Sequence, residues 1–416
     1  MILHALSKEN HVKHGPTLLL LSSLVAGSLA AGMVTAADLT PVPNANPKTP
    51  GVVAPTILSP ELAQIVSAAG AYPVENPTND VITHYGYANV NSKPMIPAFG
   101  SNVEAQKTEP DKNTYLVLRS QTGPDVDYDY GSHFLFQGHE AGAGGKGAIT
   151  RINLDADAAH RVTVLATTEA NGVTPLPTID GSTWYPFSER LLFTQEGNGS
   201  STGGVWQATP DYPSTVENLP GMGRGGYEGI QADNDGNIWI VEDIGGTTVN
   251  GETKAKLPNS FVYRFIPKNQ RNLLDGGILQ ALQVKSKANP GQPIAFQTTT
   301  ALTQDMKDLH TYGNVFDTQW VTLHDTASDG FASFNANALA KAKNATPFKR
   351  PENGQFRPGS SFREFFFDET GDTDDTSVAN AAYGGRGGAQ AHAERSVGQH
   401  WSAHPVLSGR PGAFRL

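Results

Sequence analysis

Residues 225–243 read GGYEGIQADNDGNIWIVED, and this stretch decides the fold class. Asp235, Gly236 and Asn237 form a tight-turn signal of the kind that joins two antiparallel strands. The run after the turn alternates aliphatic and aromatic residues until it reaches Glu242 and Asp243. It is therefore predicted to be a β-strand that leaves a hairpin turn and ends on two carboxylates.

Three other apolar runs in the chain end on carboxylates in the same way. They are FLFQGHE, which ends at Glu140, LLFTQE, which ends at Glu196, and FFFDE, which ends at Asp368 and Glu369. With WVTLHD at Asp325 included, the acids recur roughly every 45 to 55 residues, except for one interval of about twice that length, as four-stranded blades with insertions would. The repeat predicts a β-propeller in which each run belongs to one blade.

The predicted fold class is all-β, a β-propeller of about six blades that could be incomplete at the C-terminus. Strand-like runs dominate from about Thr114 onward, and 44 Gly and 28 Pro suit many short strands joined by turns. A short N-terminal helix is predicted from Ser59 to about Ala71, with Ser59 as N-cap and Pro60 at its first position. A second helix is predicted from Asn335 to Lys343.

The chain is predicted to contain four segments. Residues 1–37 resemble a secretory signal peptide, because an apolar stretch is followed by small residues suited to cleavage; a membrane anchor is the alternative. Residues 38–58 are a Pro-rich linker, and residues 59–385 form the propeller domain. Residues 386–416 lose the strand pattern and are predicted to be a disordered or aberrant tail. We therefore expect a secreted or periplasmic protein with no membrane attachment after cleavage.

Charge and cysteine content exclude several function classes. The formal net charge is −10, and Lys and Arg are scattered rather than gathered in a stripe, which argues against nucleic acid as a partner. The chain has no cysteine, so a cysteine nucleophile and thiolate metal ligands are both excluded. We expect a monomer that acts on a small molecule.

The carboxylates at the strand ends are candidate metal ligands. Equivalent strand ends of successive blades lie around one mouth of a propeller, so Glu140, Glu196 and Asp243 are expected to converge there. Crowded carboxylates raise each other's pKa, and a multivalent cation relieves the repulsion. Oxygen ligands suit Ca²⁺, Mg²⁺, Mn²⁺ or Fe³⁺. The alternative is that each acid only caps an exposed strand end.

Two further segments add chemistry to this mouth. In YEG, Glu228 lies near glycines that would allow a ligand to approach the backbone closely. In FKRPENG, Arg350 and Glu352 flank Pro351, which would fix a cation and an anion side by side. An arginine next to metal-bound carboxylates can clamp a phosphate group. The alternative for Arg350 is an ordinary surface salt bridge.

Five segments together resemble a known family, the PhoX-type bacterial alkaline phosphatases and their uncharacterised relatives. The segments are GHE at 138–140, TQE at 194–196, YEG at 227–229, the strand, PK and LDGGIL element at 261–279, and ATPFKRPENG at 345–354. The resemblance spans about Phe134 to Gly385. It implies a six-bladed propeller, export, and phosphoester hydrolysis at a cluster of iron and calcium ions.

The resemblance also implies roles for individual residues. Arg350 resembles the phosphate-binding, catalytic arginine. The metal ligands that it implies are Glu196, Glu228 and Glu352, with Glu140 as a second-rank candidate. Asp243 is a candidate from its strand end alone.

One departure from the family concerns iron. The family places a cysteine ligand for iron just before the glutamate that Glu196 resembles, whereas this chain has Thr194 and Gln195 there. Ca²⁺ is therefore the expected ion, and Fe³⁺ is in question. The sequence predicts a secreted, metal-dependent phosphoric monoester hydrolase. The alternatives are a non-catalytic exported propeller stabilised by calcium, and a calcium-dependent lactonase or phytase-like hydrolase.

Overall fold

A computed structural model describes residues 39–42, 58–78, 81–88, 106–247, 256–300, 303–311 and 314–371, together with a strand at 414–415. The predicted signal peptide, most of the predicted linker and all but two residues of the predicted tail lie outside these ranges. The chain divides into two compact units, Met1–Ile65 and Val66–Leu416. Among the described residues, none of the helices has the length and apolar character needed to cross a membrane.

The predicted helix from Ser59 to Ala71 is wrong. One turn forms, in which Leu62 N–H donates to Ser59 O at 2.9 Å, and residues 62–69 then have no regular secondary structure. The Ser59 hydroxyl does not cap a helix but donates to Thr40 O at 2.8 Å. Ile65 and Val66 are strongly exposed, so no apolar face is packed that could stabilise so short a helix.

The second unit begins with a hairpin that precedes two four-stranded sheets. In each of these sheets every strand pairs antiparallel with the next one along the chain. The hairpin consists of β1 (Pro73–Thr78) and β2 (Ile82–His84). The first sheet consists of β3 (Pro110–Val117), β4 (His133–His139), β5 (Ile149–Asn153) and β6 (Val162–Ala166). The second consists of β7 (Ser182–Tyr185), β8 (Arg190–Gln195), β9 (Gly204–Ala208) and β10 (Val216–Asn218).

A larger sheet and another hairpin complete the strands. The larger sheet contains, in spatial order, β11 (Tyr227–Ala232), β12 (Ile238–Glu242), β13 (Val262–Pro267), β14 (Gly277–Val284), β15 (Asp317–Asp325) and the edge strand β18 (Phe414–Arg415). The hairpin contains β16 (Pro351–Phe356) and β17 (Phe365–Glu369), which pair antiparallel.

The predicted hairpin turn between β11 and β12 is confirmed. The Asp233 carboxylate accepts hydrogen bonds from Asp235 N–H at 3.0 Å and from Asn237 N–H at 2.8 Å, which closes the turn. Gly236 has a φ of 79°, a conformation that a side chain would strain. The strand that follows is buried along its whole length, as its unbroken apolar pattern requires.

Three short α-helices connect the strands: α1 (Gln304–Leu309), α2 (Thr326–Asp329) and α3 (Ala336–Ala342). Short 3₁₀ segments lie at Ala143–Gly145, Pro220–Met222 and Leu273–Asp275. The predicted helix between Asn335 and Lys343 is confirmed as α3, because the Asn335 side chain accepts a hydrogen bond from Ala338 N–H at 2.8 Å and caps it.

The first strands of successive sheets lie beside one another. Strand β3 contacts β7, β7 contacts β11, and β11 contacts β16. Two glycines permit this approach: a Cβ at Gly181 would lie 2.1 Å from Glu228 O, and a Cβ at Gly229 would lie 2.8 Å from Glu352 O. The all-β class with several antiparallel sheets is confirmed. The sheets have two, four and six strands, and a ring of six blades stays a prediction.

Candidate metal centre

Six carboxylates converge at one end of these first strands, and we call them the acid cluster. They form three overlapping groups, and within each group one oxygen per residue lies within 4.8 Å of the others. The groups are Asp111, Asp180 and Glu228; Glu140, Asp180 and Glu196; and Glu196, Glu228 and Asp243. The structure therefore brings together four of the five metal ligands that the sequence predicts.

The hairpins explain why these acids meet. In β3–β4, Pro110 pairs with His139, so Asp111 at the start of one strand lies near Glu140 at the end of the other. The next two hairpins repeat this arrangement. Asp180 N–H donates to Thr194 O at 2.9 Å near Glu196, and Asp243 N–H donates to Gly226 O at 2.7 Å near Glu228. Each hairpin thus presents an acid from its first strand and one from its second.

Asp180 is the most deeply buried member of the acid cluster. Its residue surface is 1% exposed, and neither carboxylate oxygen accepts a hydrogen bond from a donor in the described part of the chain. Burial raises the pKa of Asp180 far above its ordinary value, and the neighbouring Asp111 and Glu228 raise it further. Burying a carboxylate without hydrogen-bond donors costs free energy, and a cation next to it would offset that cost. Asp180 is therefore the strongest evidence within the cluster for a cation site.

Two other acids of the cluster, Glu228 and Glu196, have pKa values that are raised as well. Burial raises the pKa of Glu228, and the charges of Glu196 and Asp111 add to the rise. Burial also raises the pKa of Glu196, and the charges of Asp243 and Glu140 add to it. The cluster therefore holds protons more tightly than isolated carboxylates do, and a bound cation would displace them.

Arg350 lies at the edge of the acid cluster and is joined to Asp243. Its Nε and Nη2 atoms donate to the two carboxylate oxygens at 2.6 Å and 2.8 Å, a bidentate geometry. The Asp243 side chain is 4% exposed, whereas 40% of the Arg350 side chain is exposed. Asp243 thus anchors the pair in the protein interior, while the Arg350 guanidinium can be reached from solvent.

The backbone at Arg350 is strained. Its φ is 55°, in the left-handed region, and Pro351 follows it. A non-glycine residue in such a conformation costs on the order of 1–3 kcal/mol, and residues of this kind concentrate at functional sites. The turn places Arg350 against Asp243 while Pro351 enters β16.

Glu352, the fifth predicted ligand, adjoins the acid cluster without belonging to one of its three groups. Burial raises the pKa of Glu352, as does the charge of Asp243, while Thr370 and Arg350 lower it. Its own charge raises the pKa of Glu228. Glu352 and Arg350 therefore form the side of the site contributed by β16.

Two carboxylates at strand ends do not reach the cluster. Glu242 is fully buried and accepts hydrogen bonds from Tyr263 Oη at 2.8 Å and Asn337 Nδ2 at 3.0 Å. Glu369 pairs with His310 Nε2 at 3.0 Å. These two acids are bonded within the fold, so the alternative that a strand-end acid serves its own strand applies to them. Glu242 differs from its neighbour Asp243 because adjacent residues of a strand point to opposite faces.

Sequence reasoning missed Asp111, Asp180 and Lys112. Asp111 and Asp180 lie where first strands begin, and attention to strand ends alone could not find them. The signal that could have found Asp180 is the pair Asp180-Gly181 directly before a strand. Lys112 is half-buried, and its buried Nζ atom has no hydrogen-bond partner among the described residues. The charges of Asp111, Asp180 and Glu228 act on it, so it lies close to the cluster.

The predicted reason for glycine around Glu228 also needs correction. Gly229 was expected to make room for a ligand next to the backbone. In the structure, the space beside Gly229 is filled by the backbone of β16 at Glu352 and Asn353. The glycine therefore serves strand packing and only indirectly positions the site.

The donor set fits a hard cation and does not fit a thiolate-bound iron. All six cluster members offer carboxylate oxygens, which suit Ca²⁺. At the position of the family cysteine, the Thr194 hydroxyl donates to Glu228 O, and the Gln195 Oε1 atom accepts from Gly203 N–H at 3.2 Å. Both side chains are thus bonded to backbone, and neither replaces a sulfur ligand.

Comparison with known families supports the resemblance over part of the chain. Residues 256–406 match the family described as Alkaline phosphatase PhoX. The match contains Arg350 and Glu352 and also part of the predicted tail, whereas the six acids of the cluster precede it. No match to a curated protein was found. The resemblance to this family is therefore confirmed over residues 256–406, with no cysteine in the chain.

Proposed function

We propose that this protein is an exported, metal-dependent phosphoric monoester hydrolase. The observation that carries the proposal is Arg350, which is held by Asp243 at the edge of the acid cluster and lies within the part matched by the PhoX family. A phosphate monoester carries negative oxygens. A planar guanidinium next to a cation site offers such a group two kinds of positive partner.

The ligands in this proposal are the predicted Glu140, Glu196, Glu228, Asp243 and Glu352. Asp111 and Asp180 join them because Asp111 shares a group with Asp180 and Glu228, and Asp180 shares another with Glu140 and Glu196. When bound, the cation supplies positive charge that polarises the phosphoryl oxygens and lowers the pKa of water. Export rests on the predicted signal peptide at residues 1–37 and on the family.

Arg350 has two tasks in this proposal. Its bidentate bond to Asp243 fixes the plane of the guanidinium, and its exposed surface faces incoming substrate. As the ester bond breaks, charge increases on the phosphoryl oxygens, and a guanidinium already fixed in place stabilises that charge without reorganisation. Removal of such a donor typically costs about 100-fold or more in rate.

The test is hydrolysis of p-nitrophenyl phosphate by protein loaded with Ca²⁺, with Fe³⁺, or with both. We expect calcium-dependent turnover that Arg350→Ala lowers by about 100-fold and that Glu352→Gln also lowers. Arg357→Ala is the matched control, because Arg357 is an exposed arginine that pairs with Glu364 at 2.9 Å on the same hairpin. Absence of turnover with every metal, or equal loss in Arg350→Ala and Arg357→Ala, would refute the proposal.

A non-catalytic role is the second candidate, and the missing cysteine favours it. An acid cluster that holds only structural calcium would still stabilise the fold. In that case calcium raises the melting temperature, while no phosphate ester is turned over. A lactonase or a phytase-like enzyme shares the same acidic site, so a lactone and phytate belong in the same substrate panel.

A further inference from the structure

Arg350 lies in a turn whose backbone is held on both sides by the end of strand β17. The φ of Arg350 is 55°, and such a conformation persists only where the surrounding structure fixes it. On one side, Lys349 N–H donates to Glu369 Oε1 at 2.5 Å. On the other, Thr370 N–H donates to Arg350 O at 3.0 Å. The bond from Lys349 ends on a side chain, so it depends on where the Glu369 carboxylate lies.

His310 fixes the position of the Glu369 carboxylate. Its Nδ1 atom lies 2.8 Å from Met306 O, and its Nε2 atom lies 3.0 Å from Glu369 Oε2. A carbonyl oxygen only accepts hydrogen bonds, so Nδ1 is a donor and the ring is held with Nε2 towards the carboxylate. Met306 belongs to helix α1, and its side chain is buried in the core. The carboxylate is therefore tied to a packed helix.

The Glu369 carboxylate is suited to accept both of these bonds. Burial raises the pKa of Glu369, but the charge and hydrogen bond of His310 and the hydrogen bond from Lys349 N–H lower it more. Its pKa therefore lies below the ordinary value of 4.5, and the group is ionised at neutral pH. An ionised carboxylate binds N–H donors more strongly than a neutral acceptor does. One carboxylate thus joins helix α1 to the turn before β16.

We propose that His310 and Glu369 are positioning residues for Arg350. They act through the Lys349 amide, which keeps the strained turn in the conformation that directs the guanidinium to Asp243. Without the bond to the carboxylate, the turn relaxes out of the left-handed region and the bidentate contact with Asp243 weakens. The effect on turnover rests on the function proposed above, whereas the position of the guanidinium does not.

The first test is the kcat of the metal-loaded full chain for p-nitrophenyl phosphate. His310→Leu removes both ring nitrogens, and we expect kcat to fall about tenfold or more, as it does when the support of a functional group is lost. His310→Gln places an amide N–H near the position of Nε2, so it should recover most of that loss. Near-UV circular dichroism at the assay temperature checks that each variant is folded.

His324→Leu is the matched control for the removal of a histidine. The His324 side chain is as little exposed as that of His310, and its Nε2 atom lies 2.9 Å from Gly330 O rather than from an acid of β17. A merely structural loss would lower kcat in both variants. We therefore expect His324→Leu to keep the kcat of the unmodified protein.

The second test measures the position of the guanidinium and needs no turnover. In protein with isotope-labelled arginine, the NMR signal of Arg350 Nε–H is identified by its loss in Arg350→Lys. Because this hydrogen is bonded to Asp243, it should exchange slowly with water in the unmodified protein and in His310→Gln. It should exchange faster in His310→Leu.

Three results would overturn the inference. They are an unchanged kcat and an unchanged Arg350 signal in His310→Leu, an equal effect of His310→Leu and His324→Leu, and no recovery in His310→Gln. If the unmodified protein hydrolyses no phosphate ester with any metal, the proposed function fails, and the Arg350 signal alone then decides whether His310 positions the guanidinium.

Discussion

Replacement of Asp180 by Asn should stabilise the metal-free protein and weaken its response to calcium. Asn has nearly the same shape but cannot ionise, so it removes one buried carboxylate from the acid cluster. The pKa of Asp180 is raised by burial and by Asp111 and Glu228 from an ordinary value of 3.8. A carboxyl group whose pKa is raised in the fold contributes its full stability below its unfolded pKa of 3.8. That contribution is lost as the pH rises from the unfolded pKa towards the folded one.

The magnitude follows from this shift. If Asp180 stays protonated in the fold at pH 7 while the unfolded chain ionises near pH 3.8, the fold loses about 1.4 kcal/mol per pH unit, or about 4 kcal/mol in all. Asp180→Asn should recover up to that amount in EDTA. With calcium, the variant lacks a charged ligand, so its affinity should fall roughly tenfold or more.

The assay is urea unfolding at pH 7, in EDTA and in excess calcium. Asp155→Asn is the control, because Asp155 is an acid outside the cluster whose carboxylate accepts from Ser132 N–H at 2.8 Å. That variant should keep the calcium response of the unmodified protein. The reasoning is refuted if Asp180→Asn is less stable than the unmodified protein in EDTA, or gains as much stability from calcium.

Three further predictions concern the surroundings of the site. Arg350→Gly should have a free energy of unfolding about 1 kcal/mol higher than that of Arg350→Ala, because only glycine relieves the φ of 55°. Equal urea midpoints for the two variants would contradict this. His310→Leu removes the hydrogen bond that His310 Nε2 makes with the Glu369 carboxylate at 3.0 Å, so we expect the free energy of unfolding to fall by about 1–3 kcal/mol in the same assay. An unchanged free energy of unfolding would contradict this. Burial raises the pKa of Glu242 from 4.5 to about 7, so its contribution to stability is lost as the pH rises between these values. Glu242→Gln should flatten that decline in urea melts across this range, and an unchanged slope would contradict it.

Much of the fold could be predicted from local sequence. The turn at Asp235 to Asn237 and the apolar strand after it both form as their residues require, because a hairpin turn depends on a few adjacent positions. The helix capped by Asn335 forms for the same reason. The helix expected at Ser59 fails because its cap signal is local, whereas its stability needs an apolar face packed against a partner.

The site could be predicted only in part, for a physical reason. Strand ends are visible in a sequence, which is why Glu140, Glu196 and Asp243 were found. The beginnings of neighbouring strands become equivalent to those ends only through hairpin register, so Asp111 and Asp180 were not visible. Which residue of an adjacent pair faces the site depends on the pleat, which separates Asp243 from Glu242.

The origin of the cluster acids has a consequence for how the chain acquires its final state. They come from three hairpins and span residues 111 to 243, with Glu352 from a fourth hairpin beside them. No single hairpin could bind a cation through more than two of these carboxylates, so the free energy of binding becomes available only after distant segments have assembled. If the cluster binds a cation as proposed, the level of that cation around the newly made chain would decide, late in folding, whether the assembled hairpins stay together or separate again and become accessible to proteases.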